Sequence, residues 1–316
     1  MLYDLAMALT RRSLLSMPAA ALASTTPSYR VGITTNTRGG WEDDVFLSFR
    51  EAREAGYCNV ESFFHYFVKF ADRPEELQSR MDDLGVRFVT ISNGGPMDMG
   101  FEDPSRHKQV LEDHVQLARF IRGLGCTHLK INLGGRRPEG TSQEELRHMT
   151  TALAELGRRC TEEGVKLAIH AHMWSKFENR SEIDFVLNNT DPKDVWFVLD
   201  TGHITMAGID PVELTRTLRN RIVEFHLKDT APKHRGGAAS RMEKPDPMVA
   251  PVFFPLGKEG VDFQAIVQTL DRMNWKGWLT VELDSSPTRP PKESARISKQ
   301  YLDNALSLKP ESFCSA

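Results

Sequence analysis

The stretch VWFVLDTGHITMAGIDPVELTRTLRNRIVEFHLKD, Val195 to Asp229, contains one complete architectural unit. Val195-Trp196-Phe197-Val198-Leu199 is a short β-rich apolar run that breaks off in the polar Asp200-Thr201-Gly202-His203. Asp210-Pro211 then joins an N-cap acceptor to a proline at the first helical position, opening helical spacing over Pro211–Arg219. A second β-rich run, Ile222–Leu227, again ends in charge with Lys228-Asp229. Strand, helix and strand in such close succession form a βαβ unit, whose strands lie parallel in one sheet.

The unit recurs along the chain. Strand-like runs fall at Tyr29–Ile33, Asn59–Phe63, Arg87–Ile91, His128–Leu133, Lys166–His170, Val195–Leu199, Ile222–Leu227 and Trp278–Leu283. Helical spacing falls between them, at Asp44–Ala55, Arg73–Leu84, Pro104–Leu124, Ser142–Glu163, Ser181–Asn188, Pro211–Arg219 and Phe263–Met273. Gly56, Gly85, Gly125 and Gly164 sit where left-handed helix ends are expected, and Asp103-Pro104 reads as another helix opening. Eight strand–helix repeats predict an α/β fold, a (β/α)8 TIM barrel, as a single domain over residues 29–308 with a tail at 309–316. The 316 residues suit one such barrel, and 40% hydrophobic with 26% charged residues is an ordinary soluble composition. A formal charge of -3 offers no basic excess for phosphate backbones, so nucleic acid is not an expected partner.

At the N-terminus, Thr10-Arg11-Arg12-Ser13-Leu14-Leu15 precedes the apolar, small-residue run Met17–Ala23. The paired arginines and the A-x-A-like Ala21-Leu22-Ala23 predict a twin-arginine signal peptide over residues 1–28 and export to the periplasm. That run is too short to span a bilayer, and no cysteine follows it, so no stable membrane anchor is expected. Cys58, Cys126, Cys160 and Cys314 are far apart in sequence and read as buried or free thiols. The Pro-, Gly- and Lys-rich segment Thr230–Pro255 is long for a βα connection. A lid, a dimer contact giving a homo-oligomer, and a disordered insertion all stay open for it.

In a parallel barrel the C-terminal strand ends converge on one pocket. Those ends carry Glu61; Lys130 and Asn132; His170-Ala171-His172; Asp200 and His203; Glu224, His226, Lys228 and Asp229; and Glu282-Leu283-Asp284. Any one of these has a plain structural role open to it, as a helix cap or a satisfied core histidine. Imidazoles and carboxylates on consecutive strand ends together make an oxygen and nitrogen ligand set for a cation.

Asp200-Thr201-Gly202-His203, His226-Leu227-Lys228-Asp229, Pro255-Leu256-Gly257 with Gly260-Val261-Asp262-Phe263, and Trp278 through Glu282-Leu283-Asp284 resemble the xylose-isomerase-like superfamily. The likeness is greatest to its inosose dehydratase and sugar phosphate isomerase/epimerase branch, and it spans about Arg30 to Leu306. It implies one divalent metal ion, Mn, Co, Zn or Mg, held by a Glu, Asp, His, Glu set. Asp200, His226 and Glu282 match three of those ligands. Where isomerases of the superfamily place a strand-five glutamate, this chain has His170-Ala171-His172, as the dehydratase branch does. His170 and His172 both have the alternation to point inward, so either could ligate the metal or hold a substrate hydroxyl, and His170 is taken as the fourth ligand.

Glu282 is taken as one acid/base, and the second catalytic group would come from His172, Lys130, Glu61 or His203; His203, Asn132, Lys228 and Trp174 are taken as substrate contacts. The expected reaction is isomerisation or epimerisation of a non-phosphorylated sugar, cyclitol or keto-sugar through a metal-stabilised enediolate. Elimination from a keto-sugar or inosose, including 3-keto-glycoside cleavage, shares the first proton abstraction and is the alternative. An endonuclease IV-like DNA repair enzyme would need more metal ligands and a basic surface, and a non-catalytic sugar-binding barrel is the remaining reading.

Overall fold

The computed structural model describes residues 29–94, 97, 99–237, 242–308 and 312–314. The expected signal segment at 1–28 lies outside the described residues. Eight parallel strands form the wall: β1 (Tyr29–Thr34), β2 (Asn59–Phe63), β3 (Arg87–Ser92), β4 (His128–Ile131), β5 (Lys166–His170), β6 (Val195–Asp200), β7 (Ile222–Leu227) and the last strand (Gly277–Val281). Two short strands, β8 (Asp229–Thr230) and β9 (Phe253–Phe254), pair antiparallel outside the wall, so the last wall strand is β10. The order β3-β2-β1-β10-β7-β6-β5-β4 is that of a (β/α)8 barrel.

The wall has a seam. No ladder joins β3 to β4, and side chains bridge the two instead. Thr90 Oγ1 donates to the His128 carbonyl at 2.8 Å. Just above the strands, the Asn93 amide accepts from Asn132 N at 2.8 Å and donates to Asn132 O at 3.0 Å.

The helices around the wall are α1 (Val45–Glu54), α2 (Pro74–Leu84), α3 (His107–Gly123), α4 (Gln143–Glu162), α5 (Arg180–Asn188), α6 (Thr201–Met206), α7 (Pro211–Leu218), α8 (Phe263–Arg272) and α9 (Pro291–Asn304). Their caps follow local chemistry. Asp44, Ser142, Asn179, Asp210 and Asp262 accept first-turn N–H groups. Gly56, Gly85, Gly125 and Gly164 have positive φ, as expected of helix ends. The Asp103-Pro104 expectation needs correction. Asp103 closes a turn onto Ser105, and α3 begins only at His107. No helix among the described residues is long and apolar enough to cross a membrane.

The cysteine expectation holds for two residues and fails for two. Cys126 and Cys160 are buried free thiols, whereas Cys58 and Cys314 form a disulfide. The bridge ties the tail beneath the barrel, at the N-terminal end of β2. There Phe313 is buried against Tyr57, and its carbonyl accepts from Cys58 N and the Asn59 amide.

Candidate metal centre

Period-two alternation explains how so many charges share the barrel interior. On β4, His128 and Lys130 alternate with Leu129 and Ile131; on β7, Glu224 and His226 alternate with Phe225 and Leu227; on β10, Thr280 alternates with Leu279 and Val281. The apolar members are buried in the core shared with the surrounding helices, and the polar members meet across the interior. His128 Nε2 lies 2.8 Å from Glu224, and Lys130 Nζ lies 2.6 Å from Glu61. The next residues in the same phase, Asn132, Lys228, Glu282 and Asp284, carry the polar column to the C-terminal mouth.

Near that mouth His170, Asp200, His226 and Glu282 are all buried, and one ligand atom from each lies within 4.8 Å of all the others. His226 Nδ1 is 2.5 Å from Glu282 Oε2 and 3.8 Å from Asp200 Oδ2. His170 Nε2 is 3.4 Å from the same Asp200 oxygen. The far nitrogens are held from behind. His226 Nε2 meets Glu61 Oε2 at 2.9 Å, and His170 Nδ1 donates to Asn132 Oδ1 at 3.0 Å. A carboxylate or amide behind an imidazole fixes its tautomer and turns the other nitrogen's lone pair toward a cation. Two imidazoles and two carboxylates suit a borderline transition metal better than Mg.

The electrostatics of the cluster fit the same reading. Burial disfavours charge on His226, yet Glu282 and Glu61 outweigh it and push its pKa up to about 10. Burial, with Glu282 beside it, raises Asp200 above the usual carboxylate range against the pull of Lys228. Glu61 is buried too, but Lys130 and His226 hold it low. His226 and Asp200 therefore favour their protonated forms, whereas Glu282, buried as well, is held well below the usual carboxylate range by His226 and Lys228. A second acidic group, Glu61, Glu224 and His226, lies beneath. It shares His226, and Lys130 already neutralises Glu61, so it does not extend the site toward a three-metal centre.

Above the cluster opens a cavity of about 250 Å³ lined by Phe63, Lys130, Asn132, His170, His172, Trp174, Glu282 and others. Of the residues expected from sequence, Lys130, Asn132, His170, His172, Trp174 and Glu282 face the cavity, whereas Glu61, Asp200, His203, His226 and Lys228 lie beneath or beside it. His172 Nδ1 donates to the Met173 carbonyl at 2.5 Å, leaving Nε2 as the acceptor. Burial and Lys228 depress its pKa to about 4, so the ring is neutral near pH 7. Lys228 Nζ reaches His203 Nε2 at 2.9 Å, Asp284 at 2.7 Å and Glu282 at 3.2 Å. Trp174 holds a positive φ of 63°, with its amide on Glu178 and its indole N–H on the Met242 carbonyl at 2.8 Å. Asn36 and Asp284 also line the cavity. Asn36 carried no sequence signal, and Asp284 was visible only as one more strand-end acid.

The Thr230–Pro255 segment, in its described residues, is a strap across this mouth. The β8–β9 pair closes its base, and Phe253 packs on the His203 ring at 4.7 Å. A larger cavity of about 380 Å³ lies to one side, between the openings of α7 and α8, away from the cluster.

The family model of the xylose isomerase-like TIM barrel matches residues 49–305. An inosose dehydratase of Geobacillus kaustophilus (strain HTA426) is 29% identical over 283 residues, covering 84% of this chain and 88% of its own. An inosose dehydratase of Lacticaseibacillus casei is 30% identical over 297 residues, covering 85% and 95%. Among solved structures, a sugar phosphate isomerase/epimerase from Parabacteroides distasonis ATCC 8503 superposes with a TM-score of 0.67 at 18% identity, covering 93% of this chain and all of that one. At that identity the likeness is one of fold.

Proposed function

Since the chain belongs to the xylose isomerase-like TIM-barrel family, we propose that it is a divalent-metal-dependent lyase that dehydrates a non-phosphorylated keto-polyol, with isomerisation or epimerisation as the second reading. The carrying observation is His172. It sets a neutral imidazole on the pocket wall, and strand five carries His170-Ala171-His172 where the resemblance implies a glutamate in the isomerases, so one carboxylate of an epimerase pair is missing. The identity of about 30% to inosose dehydratases supports the same choice. The second reading keeps the support of the shared first step and of the epimerase-type fold.

His170, Asp200, His226 and Glu282 would hold the ion. When bound, it supplies Lewis-acid stabilisation to the enediolate formed beside the substrate carbonyl. His172 Nε2 accepts the proton from the carbon next to that carbonyl. As the carbon–oxygen bond at the β position breaks, the same imidazole returns the proton to the departing hydroxyl, giving water and an unsaturated ketone. Lys130, ammonium at the pocket wall and anchored by Glu61, favours the negative charge that develops on oxygen. Trp174 walls the sugar, and Lys228, steadied by His203, holds Glu282 and Asp284 in place from below.

The test is incubation of Mn-loaded protein with a panel of keto-sugars and inososes in heavy water, followed by NMR. Loss of water from one substrate supports the lyase, deuterium retained in an isomer supports the second reading, and no exchange with any of them sinks both.

Export is part of the proposal. The Cys58–Cys314 disulfide suits an oxidising compartment, in accord with the paired Arg11 and Arg12. Intact mass of protein secreted by its own host is expected to begin after about Ala23. A mature chain starting at Met1, or unchanged export after Arg11→Lys with Arg12→Lys, would contradict it.

A further inference from the structure

The rim of the pocket opposite Trp174 is made by two segments that run on from neighbouring strands. Beyond β1 and β10 the chains stay side by side, with Arg38 N donating to Asp284 O at 3.0 Å and Ser286 N to Arg38 O at 2.8 Å. This pairing brings Asn36 and Asp284 to the same edge of the cavity. Asn36 Oδ1 is buried there without a hydrogen-bond partner, a cost that a ligand's donor would relieve. Asp284 remains 28% exposed, although one oxygen is held by Lys228.

The strap completes this edge. On one side of the mouth it is tied by Trp174 Nε1 to Met242 O. On the other it is tied by Arg38 to Asp246 at 3.1 Å and by Ser285 Oγ to Pro247 O at 2.8 Å. Lys244 lies midway between those ties and lines the cavity.

We propose that Asn36, Asp284 and Lys244 form an outer subsite that holds the hydroxyls of a neutral polyhydroxylated ring, remote from the carbons that react. The inference rests on the proposed keto-polyol reaction and names what that substrate must carry. The acceptors Asn36 Oδ1 and Asp284 call for hydroxyl donors, and Lys244 donates to a ring oxygen. A phosphate is excluded by charge. The other basic groups around the pocket are committed, Lys130 to Glu61, Lys228 to Asp284 and Glu282, Arg136 to Glu178 and Glu182, and Lys176 to Glu102. A phosphate would meet Asp284 with Lys244 alone to offset it.

The experiment is calorimetric titration of the Mn-loaded full chain with myo-inositol, an unreactive neutral ring, and with myo-inositol 1-phosphate. Wild type is expected to bind the neutral ring at least tenfold more tightly. At unchanged Mn content, Asn36→Leu is expected to weaken that binding about tenfold, the loss of one buried hydrogen bond, and Lys244→Ala, whose side chain is exposed at the mouth, by about threefold. Absence of myo-inositol binding, tighter binding of the phosphate, or unaltered binding in both variants overturns the subsite. Normal probe binding without proton exchange on any keto-polyol would instead break the reaction and leave the subsite standing.

Discussion

At the C-terminal end of the barrel Asp200, His226, Lys228 and Glu282 are buried charges that hold one another in place. At the N-terminal end Tyr57, Asn59 and Phe313 close the floor with two rings and one amide, locked by the Cys58–Cys314 bridge. Buried charge is costly to desolvate and is retained where chemistry uses it. Apolar closure and a covalent tie contribute stability and carry no chemistry. The same wall of strands thus divides the work, and substitutions at one end should leave the other end's property intact.

The hardest test of that division removes a ligand. Asp200→Ala, His226→Ala or Glu282→Ala should each abolish stoichiometric metal uptake while circular dichroism still reports a barrel. If all three retain metal, the centre is misassigned. His172→Ala comes next. It should lower turnover by roughly 10²–10⁴ with metal content unchanged, whereas His170→Ala should lose both. Equal metal retention in the two variants would take His170 out of the site. At the floor, Cys58→Ser with Cys314→Ser should cost about 2–5 kcal/mol in denaturant unfolding and leave metal affinity unaltered. A change in metal affinity there would break the comparison.

Smaller effects sharpen it. Asn132→Ala and Glu61→Gln leave the four ligands in place but alter the groups behind His170 and His226, Glu61 also anchoring Lys130, so each should weaken metal binding by about 10–100-fold without abolishing it. Equilibrium dialysis measures this. The smallest is a proton count. The raised His226 is protonated in the metal-free chain below about pH 10, and a cation on Nδ1 must displace that proton. Metal affinity should therefore fall as pH drops, and because Asp200 is raised as well, to about 8, calorimetry in buffers of different ionisation enthalpy should show about one to two protons released near pH 7. No release would mean that His226 is already neutral.

The barrel was legible because its signals are local. Each strand is a short run, most of the helices open on a capping side chain, and charges at strand ends stand out against the apolar core they interrupt. Thr201–Met206 was not foreseen as a helix, since its turn follows Asp200 directly and that side chain serves both as cap and as candidate ligand. Residues across the barrel were beyond reach of sequence. Cys58 and Cys314 are 256 positions apart, and Asn36 matters only because the chain after β1 runs beside the chain after β10. Asp229 shows the same limit from the other side. It reads as one more strand-end acid, yet it accepts the backbone N–H groups of Gly257 through Val261 and acts as a clamp on that loop. Gly260 is required there because a Cβ would lie 2.1 Å from the Thr230 carbonyl.

The seam between β3 and β4 makes the barrel a rolled sheet with two edges, and edges are where solvent deuterium enters first. Amides along β4 should exchange sooner than those of β7, which is laddered on both sides. Because Asn93 closes the seam on Asn132, and Asn132 orients His170, each opening of that edge also lets one imidazole turn away from the centre. Exchange protection of Asn132 N should rise when metal is bound, which would make the seam a spectroscopic reporter of site occupancy far more sensitive than the helices outside it.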